Sequence, residues 1–169
     1  MIAIAAGLSM TARAASVAGA PQPDARAFAS RVGGKTYLSF SPQHGTQVEY
    51  LSSDGRAYLW YPGNQQVLAG QWRAEPDPFA PKFLESPIGS GNIYEAPPRF
   101  RLCYRYGPAT YNPVTGSSGD KWECQGLFQG LGEARPGDFF GLVRARAAPL
   151  VLSKQRYSFE ELRALVRRR

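Results

Sequence analysis

From Lys35 onward the chain alternates apolar and polar residues with a period of two, in short stretches broken by turn-forming residues. Lys35 to Phe40, Thr46 to Leu51, Arg56 to Tyr61 and Gln66 to Arg73 are rich in Tyr, Trp, Val and Thr, and each reads as a strand. Pro42 to Gly45, Ser53-Asp54-Gly55 and Pro62-Gly63-Asn64 separate them, and each supplies a residue that tolerates positive φ or presets a turn. Strands resume at Phe100 to Tyr106, Lys121 to Gln125 and Phe139 to Arg146. The pattern predicts a mainly β protein, a single antiparallel meander forming an open barrel or strongly curved sheet. In Arg56 to Tyr61 neither face is plainly polar: Ala57, Leu59 and Tyr61 fall on one side, Arg56, Tyr58 and Trp60 on the other. One face is expected to meet the core and the other a ligand, a loop or a helix.

Two helices frame the strands. Asp24 is placed to cap a short N-terminal helix over Ala25 to Val32, ended by Gly33-Gly34. Near the C-terminus, Ser158-Phe159-Glu160-Glu161 spells a capping box, with Tyr157 and Leu162 at the flanking staple positions. Phe159, Leu162 and Val166 then share one face of the helix, and Arg163 and Arg167 to Arg169 turn outward.

Two segments interrupt the meander. Glu75 to Pro98 carries six prolines and Gly89-Ser90-Gly91, which excludes a central strand or a long helix. Its apolar residues Phe79, Phe83, Leu84, Ile88 and Tyr94 suit a flap folded over the sheet. Gly107 to Asp120 is a turn-rich excursion between two strands.

Residues 1–20 read as an apolar, Ala-rich signal peptide with small-residue cleavage sites after Ala14, Ala18 or Ala20, leaving 21–169 as one β-rich domain. The stretch is too short to span a bilayer as a helix. This predicts a periplasmic or secreted protein without a transmembrane segment. The compartment gives the two cysteines their meaning. Cys103 and Cys124 lie in strand-like settings on either side of the excursion, where a disulfide would close a loop of about 22 residues and contribute roughly 3 kcal/mol through the unfolded state. A metal or redox pair is the rival reading, and it favours closer spacing or histidine partners.

Composition narrows the chemistry. The net charge of +7 over 169 residues favours acidic partners, and for an exported chain these are envelope glycans or lipid head groups rather than nucleic acid. The one histidine, His44, falls in a turn and reads as solvated; there is no Gly-x-Ser-x-Gly nucleophile elbow and no zinc spacing. No cofactor motif is present. Glu49, Asp54, Glu75, Glu123 and Asp138 are the carboxylates that a hydrolase would need to bring together. The aromatic residues are interleaved with Arg56, Arg73, Arg101 and Arg105, a mixture suited to stacking on sugar rings or flat ligands with guanidinium contacts to acids. Trp60, Tyr58, Arg56, Tyr104, Tyr106 and Arg105 are the candidate ligand-binding residues, for an anionic or aromatic-stacking small ligand or an envelope glycan. Trp72, after Gly70 at a strand end, suits the core, and Trp60, beside the Pro62-Gly63 turn, suits exposure.

Tyr50-x-x-x-Asp54-Gly55-Arg56, Gly70-Gln71-Trp72, Cys103-Tyr104-Arg105-Tyr106 and Trp122-Glu123-Cys124 resemble the small exported two-cysteine β-domain proteins of proteobacteria. The resemblance covers about Lys35 to Gln125 and implies compartment and fold class, with no mechanism. Gly70-x-Trp72 is also similar to the lipocalin signature. In lipocalins that signature opens the first strand and has a Thr-Asp-Tyr partner; here several strands precede it and the partner is absent. Three functions are consistent with these features: a non-enzymatic ligand-binding or envelope-associated module, an interaction or inhibitor module presenting the 107–120 loop, and a small carboxylate hydrolase.

Overall fold

The computed structural model describes residues 24–81, 83–85, 93–95, 99–110, 116, 118–126, 132–145 and 147–168. Residues 1–20, expected to form a signal peptide, residues 82, 86–92 and 96–98 of the proline-rich segment expected to form a flap, and the tip of the 107–120 loop fall outside the described residues.

A short helix, α1 (Ala25–Val32), leads into the antiparallel strands β1 (Lys35–Ser41), β2 (Gly45–Leu51), β3 (Arg56–Trp60) and β4 (Leu68–Pro76). The small strands β5 (Phe83–Glu85) and β6 (Ile93–Glu95) pair with each other as a separate two-stranded sheet within the proline-rich region. β7 (Phe100–Arg105), β8 (Glu123–Gly126) and β9 (Glu133–Pro136) complete the main sheet, and helix α2 (Phe159–Arg167) follows. The order across the seven-stranded sheet is β8-β7-β4-β3-β2-β1-β9. Every described pairing is antiparallel, and the sheet curls into a half-barrel. Mainly β, one curled sheet and a helix at either end: this is the architecture that the hydrophobic pattern predicts.

Both helices begin where the sequence marks them. The Asp24 carboxylate accepts the amide of Ala27, and in α2 the Ser158 hydroxyl accepts the Glu161 amide while the Glu161 carboxylate accepts the Ser158 amide.

Each face of the sheet has its own apolar layer. On the concave face, Phe28 and Val32 of α1 pack with Tyr37, Leu51, Ala57, Trp72, Phe100, Leu102 and Tyr104. Phe28 stacks on Phe100 at 5.3 Å between centroids, and the Trp72 indole N–H donates to the Ser52 carbonyl at 2.9 Å. On the convex face, Leu38, Val48, Tyr58 and Trp60 are covered by Leu142, Leu150, Leu152, Phe159 and Leu162 from the C-terminal third of the chain. The two-sided apolar pattern of β3 therefore reflects two covers, α1 on one face and the C-terminal segment on the other.

Buried threonines fasten that second cover. The Thr36 hydroxyl donates to the Gly137 carbonyl at 2.7 Å and accepts the Phe139 amide at 3.0 Å. Thr46 repeats the arrangement, donating to the Gln155 carbonyl and accepting the Tyr157 amide. Beside it, Gly45 has φ +82° and lies so close to Lys154 that a Cβ would stand 2.7 Å from the Lys154 Cα, so a side chain is excluded by both backbone and space.

Two local expectations are corrected and one strand is added that the hydrophobic pattern did not mark. Phe139 to Arg146 is no strand in its described part, because the Asp138 carboxylate accepts the amides of Leu142 and Val143 and Gly141 adopts φ +70°, bending the chain into turns that lay Phe139 and Phe140 on the core. Glu133–Pro136 forms an edge strand despite a polar sequence, since its pairing to β1 is made by the backbone. Trp60 is wholly buried rather than exposed: its ring meets Phe140 edge-on at 5.4 Å and its N–H donates to the Leu150 carbonyl at 2.7 Å.

The docking of α2 is tested by truncation. Leu162→Ala removes a fully buried side chain and is expected to cost about 2–5 kcal/mol in denaturant unfolding. Arg168→Ala, on an exposed residue, should change stability by no more than about 0.5 kcal/mol.

Candidate functional site

Strand alternation and register sort the predicted ligand residues onto opposite faces. Tyr58 and Trp60 lie in the convex core, Tyr58 stacked on Tyr50 at 6.2 Å. Arg56 is exposed at the β2–β3 turn and spends its guanidinium on Asp54, with Nε at 2.9 Å and the terminal nitrogen at 2.6 Å. Asp54 is thereby held below the usual carboxylate range, by the Arg56 hydrogen bonds first and the Ser52 hydroxyl second. Tyr104 and Tyr106 point into the concave face, whereas Arg105, between them, points out of the convex one. The six residues form no common site, because neighbours in a strand face opposite ways. They divide between the core, a turn and two separate surface clusters.

The first cluster lies on the convex face over β4, β7 and β8. Register places Arg73 opposite Cys103, Cys103 opposite Cys124, Gln71 opposite Arg105 and Glu75 opposite Arg101. Trp122, just before β8, continues the Arg105 row. The Arg73 guanidinium lies 4.1 Å and that of Arg105 5.0 Å from its ring centroid. Glu75 binds Arg73 and Arg101, and Arg105 donates to the neutral Gln71 side chain. Two guanidiniums, those of Arg101 and Arg73, thus share one carboxylate, which they hold below its ordinary pKa, the Arg101 hydrogen bond contributing most. The buried Nε of Arg101 has no hydrogen-bond partner among the described residues.

Cys103 and Cys124 are bonded at the centre of this strip, as the sequence predicts. Glu75 lies 3.9 Å from the Cys124 Sγ. These three residues have the proximity of a metal site, but the disulfide consumes both thiols and leaves no thiolate to ligate.

The second cluster lies on the concave face. Glu49 of β2 stands opposite Tyr37 and Leu59 in its row. The Tyr106 hydroxyl, from the far end of β7, donates to Glu49 Oε1, and Tyr104 forms a side-chain hydrogen bond to the same carboxyl. Tyr104 and Tyr106 have nearly parallel rings, 6.4 Å between centroids. Tyr106 reaches inward past Gly70, where a Cβ would stand 2.7 Å from its ring and 2.5 Å from the Arg105 carbonyl oxygen. The half-buried Glu49 carboxyl, held among phenol rings, is pushed up to about 8 by burial, against the Tyr104 hydrogen bond. Tyr104 is raised too, by its own burial and then by Glu49. Glu123 of β8 pairs with Tyr104 in register and adds a second carboxylate to this face.

His44 is half-buried rather than solvated, its Nδ1 2.7 Å from the Tyr61 hydroxyl. Burial and then Lys154 lower its pKa, while Glu123 raises it. Of the other carboxylates, Asp54 is tied to Arg56, Glu75 to the convex strip and Asp138 to its turn; only Glu49 and Glu123 share a face. For the inhibitor reading, the base of the 107–120 loop is clamped by the Gly119 carbonyl, which accepts the amides of Tyr106 and Gly107, while residues 111–115 and 117 lie outside the described residues.

No family model, curated protein or solved structure matches this chain. The geometry of the two clusters therefore carries the functional argument.

Glu49 gives a pH dependence of defined sign. Folding raises its pKa from 4.5 to about 8, so its contribution to stability is fully present below about pH 4.5 and is lost as pH rises through about 8. In denaturant unfolding from pH 5 to 9, the wild-type protein should lose stability relative to Glu49→Gln. Parallel curves would show that the carboxyl titrates normally.

Proposed function

We propose that the protein is a non-enzymatic, envelope-associated binding module, periplasmic or secreted, whose convex Arg–Trp strip docks an acidic glycan. The observation that carries this reading is the Trp122 indole with the Arg73 and Arg105 guanidiniums set against it. A guanidinium laid on an indole is held in orientation and keeps in-plane N–H donors for a carboxylate or sulfate. Arg101 lies in the adjoining row, and Glu75 neutralises one of the three positive charges. The disulfide ties β7 to β8 beneath them, so the spacing of the cations is set by the covalent frame and the sheet.

Global charge acts in the same direction. A net +7 protein draws polyanions by long-range attraction, and the strip supplies the local geometry that a diffuse positive surface lacks. The signal-like leader and the resemblance to exported two-cysteine β proteins support the compartment. No helix among the described residues is long and apolar enough to cross a membrane.

The test uses polygalacturonate as the acidic glycan, with neutral dextran and phosphatidylglycerol vesicles as the other arms. Polygalacturonate should bind and weaken with added salt, and neither other arm should bind comparably. The double variant Arg73→Ala/Arg105→Ala should bind at least about tenfold more weakly, a loss of about 1.4 kcal/mol, while retaining the wild-type circular dichroism. Undiminished binding by that variant would contradict the assignment, and preference for vesicles would replace the glycan with a lipid surface.

A further inference from the structure

We propose that the concave tyrosine–glutamate cluster is a binding site for a small organic cation carrying an amidinium, guanidinium or ammonium head. This inference is independent of the glycan reading, because it uses the other face of the sheet and none of the strip residues.

The argument begins with what surrounds Glu49. Among the described residues, the groups that hydrogen-bond its carboxyl are the hydroxyls of Tyr104 and Tyr106, and no described lysine or arginine is ion-paired with it. Tyr37 stands beside it on β1 and Leu59 on β3. Helix α1 packs over Leu51, Ala57, Trp72, Phe100 and Leu102 and also over the rings of Tyr37 and Tyr104, the Tyr37 hydroxyl donating to the Val32 carbonyl, while Glu49 itself remains half-buried rather than sealed. What an organic cation would meet is the half-buried Glu49 carboxyl and the half-buried Tyr106 ring, with Tyr37, Tyr104 and Leu59 buried beneath them: the carboxylate supplies the ion pair, and the Tyr106 ring a favourable quadrupole. An anion would gain no ion pair from Glu49 in either protonation state. A neutral ligand would leave the carboxyl no better stabilised than the tyrosines already leave it.

The exchange balances without any further reactant. With its pKa near 8, Glu49 holds a proton at neutral pH; the arriving cation favours the carboxylate, and the proton leaves to solvent. No covalent bond forms. The titratable groups facing this exchange are Tyr37 of β1, Tyr104 and Tyr106 at the end of β7 and Glu123 of β8. His44, paired with Tyr61, is linked electrostatically to Glu123 and to Lys154. The tyrosines whose shifts are resolved, Tyr37 and Tyr104, both titrate above their usual value, so between pH 6 and 9 the proton released comes from Glu49. The net charge of the chain opposes cation approach at long range, but at about 0.1 M salt that repulsion is screened beyond about 10 Å.

The experiment titrates the full protein with benzamidine, a cation throughout the range tested, and with benzamide as its neutral isostere. Calorimetry at pH 9 should show benzamidine binding, while benzamide binds far more weakly. At pH 6 the dissociation constant should be on the order of 100-fold higher, with about one proton released per cation bound. Glu49→Gln should abolish binding, while Arg73→Ala/Arg105→Ala should leave it intact. In parallel, the carboxyl-carbon NMR signal of Glu49 in the wild-type protein should move toward the carboxylate position when benzamidine is added at pH 7, a readout that does not depend on the variant folding. No binding at pH 9, equal affinity at pH 6 and pH 9, equal binding of benzamide, or a stationary Glu49 signal would each overturn the proposal.

Discussion

Seven residue steps separate Gly126, on one edge strand of the sheet, from Glu133, on the other. An extended chain covers about 3.5 Å per step, so these steps reach at most about 25 Å. Seven strands laid flat at about 4.8 Å spacing would hold their edges about 29 Å apart. The connection can close only if the sheet curls. Gly132, at the entry to β9, lies so close to the Leu38 carbonyl that no side chain fits there, which shows how tightly the returning chain is drawn onto β1.

The curl decides the chemistry of the concave face. β2 and β7 are separated by two intervening strands, yet Tyr104 and Tyr106 reach the Glu49 carboxyl. On a flat sheet these side chains would stand in parallel rows too far apart to bond, and Glu49 would have ordinary solvent around it. Curvature also divides the molecule in two. On the inside, α1 packs over Tyr37 and Tyr104, and Glu49 and Tyr106 lie half-buried beside them. On the outside, the C-terminal segment covers β1 to β3, while the arginines, Trp122 and the disulfide lie over β4, β7 and β8.

Much of this frame was legible in the residues. Period-two alternation identified the principal strands, Asp24 and Ser158 marked both helix starts, and two cysteines flanking an excursion gave the disulfide. Glu133–Pro136 escaped because an edge strand made by backbone pairing needs no apolar signature. Phe139 to Arg146 misled because its aromatics serve the core from turns, not from a strand. The site was less legible than the fold. Trp60 beside a Pro-Gly turn suggested exposure, but the segment that buries it lies 90 residues further along the chain. Glu49 carried no local signal, since its pKa depends on partners more than 50 residues away. Strand parity did hold one unused clue: Tyr104 and Tyr106 face one way and Arg105 the other, so they could not share a site.

The most direct test of the curl is a nuclear Overhauser measurement between the Tyr106 ring protons and the Glu49 side-chain methylene protons in the isotope-labelled protein. The half-barrel predicts clear cross-peaks between these groups, alongside those from Glu49 to Tyr37 and Leu59. Cross-peaks from Glu49 to Tyr37 and Leu59 alone, with none to Tyr106, would mean that the sheet is open and would contradict the account.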